Sequence, residues 1–357
     1  MKQCCKQLNI IYVNMNTSID SLNKTLISSL NNPTMPLGLA HGKMGICIYF
    51  FVLSRYEENK EYKSVADKIL DEIFERISEI QSIDVKNGLS GIGIGIDYLI
   101  KNNYTRGDIN KILEDIDDIL FKNLSYPQYY EKIDTFHTIH LIYYLCVRLK
   151  DQKENSDEEY LFKELIIQTV NNLYERINIS FYEEPLFYTL DYPLPQLLFV
   201  LSEIYKLNFY NYRIIKIVEE LSYKVLSIIP ILQCNKLYLL WGIDALNKQV
   251  NNINWERHIF LLKNNINIEH ILCSEIRNKN IYFNDGLASI YYLIDSLSDY
   301  FDNSEINMTK KKIVDKIMSS NAWEQLKGNQ QYFEMHTGLF NGFIGTSILL
   351  KKKIAYD

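Results

Sequence analysis

The sequence predicts an all-α protein, an α/α toroid of seven helix-pair repeats. Three observations lead there. Glycine-headed apolar stretches recur along the chain, amphipathic segments alternate with them, and the first and last of these stretches match without a gap. "GLAHGKMGICIYFF", Gly38–Phe51, aligns with "GLFNGFIGTSILL", Gly338–Leu350, at an offset of 300 residues. Gly38, Gly42 and Gly45 fall on Gly338, Gly342 and Gly345, and His41 falls on Asn341.

With Gly42 as anchor, the later units begin near Gly88, Thr138, Pro195, Gly242, Gly286 and Gly342, at steps of 44 to 57 residues. Self-similarity at such a period is the mark of a repeat architecture. Each anchor opens a segment that is apolar nearly all round, which predicts a buried inner helix starting at the anchor. Between anchors lie "YKSVADKILDEIFERISEI", "INKILEDIDDILFKNL" and "EEYLFKELIIQTVNNLYERI". Their apolar residues recur at three- and four-residue steps among Glu, Lys and Asp, which predicts amphipathic outer helices. No strand-like alternation persists, and prolines number only seven. A glycine costs roughly 1 kcal/mol inside a helix, so glycines clustered at helix starts need a compensation. Close approach of inner helices to one another is the expected one. A ring is expected rather than an open solenoid, because the first and last units match best and neither reads as a polar cap. Residues 1–357 read as one domain, with 1–30 forming an N-terminal extension and the first outer helix.

Composition narrows the function. The 357 residues carry a net charge of −6, against a nucleic-acid binder, which shows a basic face. Six cysteines, Cys4, Cys5, Cys47, Cys146, Cys234 and Cys273, are scattered without CxxC or framework spacing. That pattern suits reduced thiols and a cytoplasmic protein. The N-terminal residues show no signal-peptide core, and no run of 18 apolar residues predicts a transmembrane helix.

The segments "GLAHGKMGI", "NGLSGIGIG", "NDGLASI" and "TGLFNGFIG", within seven helix pairs, resemble the lanthionine cyclase (LanC-like) family over roughly residues 30–355. The resemblance implies the α/α toroid and cyclisation of a ribosomally made peptide. It also implies a zinc ion held by a Cys two residues before the fifth anchor and by a Cys-His pair before the sixth. Leu240, Asn284 and Asp285 occupy those places. Zinc prefers Cys and His, so no metal and no other cofactor is expected. A set of Cys234, Cys273 and His336 is the one alternative for a metal. The family's Asp before the third anchor is matched by Asp134, and its basic residue and Tyr beside the fifth anchor by Lys236 and Trp241. The fourth-unit His is not matched, Leu194 standing near its place.

"DTFHTIH" sets Asp134, His137 and His140 together, with the two histidines on one helix face. Asp134, His137 and His41 are the candidate catalytic residues. Lys236, Trp241, Asn284, Asp285 and His336 are the candidate substrate-binding residues, expected with them around one polar mouth. The function expected is a LanC-like role in maturing a lanthipeptide-type peptide, either as a zinc-independent thioether cyclase or as a degenerate precursor-binding partner. The partners expected are the precursor peptide and a peptide dehydratase. The alternative is a carbohydrate-active hydrolase using carboxylates from Asp134, Asp244 and Asp285.

Overall fold

The computed structural model describes residues 17–354. Cys4 and Cys5, and the first part of the N-terminal extension, lie outside the described residues. Fourteen helices of ten or more residues run through the described chain. They are α1 (17–29), α2 (Lys43–Tyr56), α3 (Lys60–Arg76), α4 (Leu89–Lys101), α5 (Ile109–Leu124), α6 (Thr135–Leu149) and α7 (Asp157–Arg176). They continue with α8 (Pro193–Lys206), α9 (Asn211–Val225), α10 (Gln233–Val250), α11 (Ile253–Asn264), α12 (Leu287–Ser296), α13 (Asn303–Met318) and α14 (Phe343–Ile354). Even-numbered helices are the inner ones. α2 is buried from Lys43 to Leu53 without interruption. Odd-numbered helices bury a stripe, as α3 does with Ala66, Ile69, Leu70 and Ile73.

The chain divides into two compact units, residues 1–80 with 272–357, and residues 81–271. In the first unit α2 packs on α3 and on α14, and α12 packs on α13. In the second, α8 packs on α10 and on α6, while α7 covers α6. There α5 and α6 are locked by a buried ion pair. Arg148, 1% exposed, donates through Nη2 to Asp117 Oδ2 at 2.8 Å, and the Tyr144 hydroxyl donates to Asp117 Oδ1 at 2.7 Å.

The glycines that precede inner helices have a repeated local cause. In four glycine turns the first helical N–H donates to the carbonyl seven residues back. These bonds are Lys43 to Pro36 (2.8 Å), Leu89 to Ser82 (2.9 Å), Leu287 to Asn280 (3.0 Å) and Phe343 to His336 (2.8 Å). Each satisfies one of the amides that a helix start leaves without a partner. The loop must then fold tightly over the cap residue. A Cβ on Gly88 would lie 2.4 Å from the Ser82 carbonyl oxygen, and one on Gly286 would lie 2.3 Å from that of Asn280. The backbone at these caps is extended, φ −103° at Gly88 and −143° at Gly286, so space and not conformation selects glycine.

This corrects the expectation that the cap glycines serve helix-to-helix approach. That reason holds at Gly242, where a Cβ would meet the Pro195 carbonyl oxygen at 2.6 Å. The structure also corrects three helix starts. Gly242 lies inside α10, nine residues beyond Gln233. α6 begins at Thr135, three residues ahead of Thr138, because the Asp134 carboxylate caps it. α8 begins at Pro193, where a missing N–H costs nothing.

Replacing Gly88 or Gly286 by alanine is expected to cost about 1–3 kcal/mol of stability through overpacking. Gly328, with nothing within 4 Å of its Cβ position, is the control. Its alanine variant is expected to be unchanged or up to about 1 kcal/mol more stable. Urea melts of the three variants check this ordering.

Candidate functional site

The second unit carries a polar cluster at the starts of α6 and α8. Asp134 is the N-cap of α6. Its Oδ1 accepts from the His137 backbone N–H at 2.7 Å and from His137 Nδ1 at 2.8 Å. Partial burial pushes the Asp134 carboxyl up, but the His137 N–H and imidazole pull it below its ordinary value. With Nδ1–H committed to the carboxylate, His137 keeps Nε2 as its proton acceptor.

One turn on, His140 lies against Phe136, ring centroids 4.3 Å apart. Its Nε2 meets Gln196 Oε1 at 2.6 Å. Gln196 also donates through Nε2 to the Leu190 carbonyl, which turns its oxygen toward His140. This network assigns the Nε2–H tautomer to His140 and leaves Nδ1 buried without a hydrogen-bond partner. Burial drives the His140 pKa down to about 4, helped by Lys86 and His137 and opposed by the Gln196 hydrogen bond and Asp191. Lys86 sits 4.7 Å from the Phe136 ring centroid and pairs with Asp191 at 2.7 Å.

Sequence reasoning grouped His140 with His137 but missed Gln196, Lys86 and Asp191. Gln196 is 56 residues from His140, and no local pattern links them. Trp241 stacks on Phe199 and Tyr238 at 4.9 and 5.7 Å, extending the cluster along α8 and α10. Lys236 lies inside α10, one turn before Trp241, and its Nζ reaches the Asn265 carbonyl at 3.4 Å, the C-cap of α11. Lys236 and Trp241 therefore stand within a helix and not ahead of its start. Asp244 is 5% exposed and pairs with Lys248 at 2.9 Å, which takes it out of any carboxylate pair.

The first unit holds the remaining candidates. Two backbone bonds lace its glycine turns, Leu339 N–H to the Ala40 carbonyl at 2.8 Å and Asn284 N–H to the Phe340 carbonyl at 2.9 Å. His336 stacks on Tyr332 and Tyr282, with centroids 4.0 and 4.9 Å away, and its Nδ1 lies 2.8 Å from the Tyr332 carbonyl. The Tyr282 hydroxyl donates to that of Tyr332 at 3.1 Å. Asp285 is half-buried and accepts from Asn280 Nδ2 at 3.2 Å. Burial raises its carboxyl above the ordinary value, against the pull of His336 and Lys279. Exposed His41 borders a separate pocket of about 230 Å³ with Met35, Phe333 and Glu334. Thus Asp134, His137, Lys236 and Trp241 belong to one unit, and His41, Asn284, Asp285 and His336 to the other.

The residues at the zinc positions do not suit zinc. Leu240 is fully buried in α10 and offers no donor atom, and Asp285 is engaged by Asn280. Cys234 is buried in α10, Cys273 is exposed, and His336 is held between its tyrosines. Among the described residues no group of three His, Cys, Asp or Glu is arranged to hold a metal ion.

Two comparisons meet this picture. Residues 33–191 match the family described as lanthionine synthetase C-like protein. The solved structure of nisin cyclase superposes with a TM-score of 0.70 at 12% identity, covering 96% of this chain and 95% of that one. At that identity the match speaks for the fold, and the fold class is the all-α, α/α toroid class of nisin cyclase. No curated protein sequence matches the chain. No helix of the described residues is long and apolar enough to cross a membrane.

The depressed His140 pKa predicts an acid-sensitive fold. The unfolded chain binds a proton near pH 6.5 that the folded chain takes up only at about 4. The stabilisation is complete above pH 6.5 and is lost as pH falls toward 4. Urea midpoints measured across that window should fall less in a His140→Asn variant than in the native protein.

Proposed function

We propose that the chain acts in the maturation of a ribosomally made, lanthipeptide-type peptide in the cytoplasm, as a zinc-independent thioether cyclase. Residues 1–357 would serve as one LanC-like domain. The observation that carries this reading is the Asp134–His137 pair, hydrogen-bonded at 2.8 Å on a lanthionine synthetase C-like fold. A peptide cysteine with a pKa near 8.5 is only a few per cent thiolate at neutral pH. His137 Nε2 takes the thiol proton, and Asp134 stabilises the imidazolium that forms. The sulfur adds to the β-carbon of a dehydrated Ser or Thr. The C=C electron pair moves toward the carbonyl as an enolate, and the proton held by His137 passes to the α-carbon. A thioether results with no net loss of atoms. The dehydrated residue has to come from a dehydratase, the second partner of the reading. Asn284, Asp285, His336 and Lys236 are proposed to contact the peptide, Trp241 to support its binding, and His41 to serve as a further catalytic residue.

A second reading, a precursor-binding partner without turnover, draws on Leu240, which replaces a metal-bound thiolate by an alkyl group. The carbohydrate-hydrolase alternative loses Asp244 to its pairing with Lys248.

The test mixes purified protein with a dehydrated, cysteine-containing peptide in a chelating buffer. Mass spectrometry of thiol alkylation counts closed rings. Asp134→Asn and His137→Gln should each slow ring closure about 10²–10⁴-fold while peptide affinity changes little. Trp241→Ala should weaken affinity. Binding without rings in the native protein points to the partner reading, and neither binding nor rings removes both.

A further inference from the structure

The first unit contains a cavity that the proposed chemistry does not use. It measures about 510 Å³ and runs between the inner helices α12 and α14. Its walls are Phe283, Tyr291, Tyr292, Ile348 and Leu349. Phe283, Ile348 and Leu349 are half-buried, and Tyr292 is 52% exposed, so these apolar and aromatic surfaces are reachable from solvent. The volume falls within the range of ordinary ligand pockets, about 300–1,000 Å³, which combine apolar walls with a few charged groups.

The ends of the cavity differ in kind. Phe283 lines the end beside the start of α12. It directly precedes Asn284 and Asp285, and its ring packs on Gly345, where a Cβ would lie 3.1 Å from Phe283 Cδ2. The cavity therefore begins beside the glycine turn that carries Asn284 and Asp285. Asp295 and Lys352 mark the other end. Asp295 is neutralised by Lys310, and the neighbouring Lys351 is held by Glu57 at 2.6 Å. Lys352 is exposed and forms no ion pair with the described residues. The cavity is thus an apolar slot with an available positive charge at its far end.

We propose that this slot binds a peptide segment in which a large apolar side chain lies beside a carboxylate. The apolar group fills the space between α12 and α14, and the carboxylate meets Lys352. The proposal rests on the peptide-maturation reading and gives that reading a specificity element, one that selects apolar-acidic segments. The occupant follows from charge complementarity. A neutral apolar segment leaves Lys352 unused, and a basic one is repelled by it. A surface ion pair is weak, so the slot supplies most of the affinity and Lys352 supplies the discrimination.

The probes are two labelled peptides, acetyl-Gly-Leu-Phe-Glu-Gly-amide and the same sequence with Lys in place of Glu. Fluorescence anisotropy with the native protein should show the acidic peptide bound several-fold more tightly, the difference shrinking as salt rises. Lys352→Glu should reverse the preference. Ile348→Trp, which fills the slot, should abolish binding of both peptides, with a thermal melt confirming that the variant folds. If Ile348→Trp does not fold, Tyr292→Ala on the exposed wall serves in its place and should weaken both peptides alike. Equal affinity for the two peptides, a preference that survives Lys352→Glu, or binding untouched by changes to the slot wall overturns the proposal. Asp134→Asn must leave these affinities unchanged. Failure of ring closure therefore counts against the proposed reaction alone, and failure of the peptide preference against the slot alone.

Discussion

Four inner helices begin on the same backbone bond, the first helical N–H to the carbonyl seven residues back. The bond fixes the angle at which the chain enters the helix, and it places the residues of the loop at the helix end. It leaves no room for a side chain at the cap, which is why glycine recurs there. The polar residues of these glycine turns are positioned by it. The carbonyl of His336 accepts such a bond, and so does that of Asn280, the residue whose side chain holds Asp285. Two further backbone bonds tie the turns of the first unit together, which makes these loops part of the scaffold and not loose connections.

Three inner helices lack that start, and the polar cluster of the second unit lies at the starts of two of them, α6 and α8. Asp134 caps α6 with its side chain, and the same carboxylate orients His137. α8 starts on Pro193. α10 starts where the Glu184 carboxylate accepts from the N–H groups of Ile231 and Leu232, at 2.6 and 2.8 Å. At α6 and α10 a carboxylate replaces the glycine turn. A carboxylate that caps a helix is also a carboxylate held in a fixed geometry, available to a neighbouring imidazole.

The fold was legible because recurring glycines and three-to-four-residue apolar spacing are local signals. α5 spans Ile109–Leu124, the "INKILEDIDDILFKNL" segment end to end. The starts of α6 and α10 were not legible in the same way. Asp134 is of a residue type that caps helices, but the Thr138 anchor drew the boundary downstream. The start of α10 depends on Glu184, 47 residues before Ile231. The Asp134–His137 pair was readable from spacing alone. The Gln196 contact to His140 and the tyrosines around His336 were not, because each is made across the fold by residues with no periodic mark. The glycines were found correctly, but close helix approach explains Gly242 and not the helix caps, since a repeat shows where small residues recur and not which atoms crowd them.

The central claim is that the bond across each glycine turn holds the start of the inner helix that follows, and amide hydrogen exchange tests it most directly. First-turn amides ordinarily exchange quickly because they lack intrahelical partners. The amides of Lys43, Leu89, Leu287 and Phe343 are predicted to exchange as slowly as mid-helix amides of the same inner helices, opening only with the unit as a whole. Exchange of these four at the rate of exposed loop amides would contradict the account.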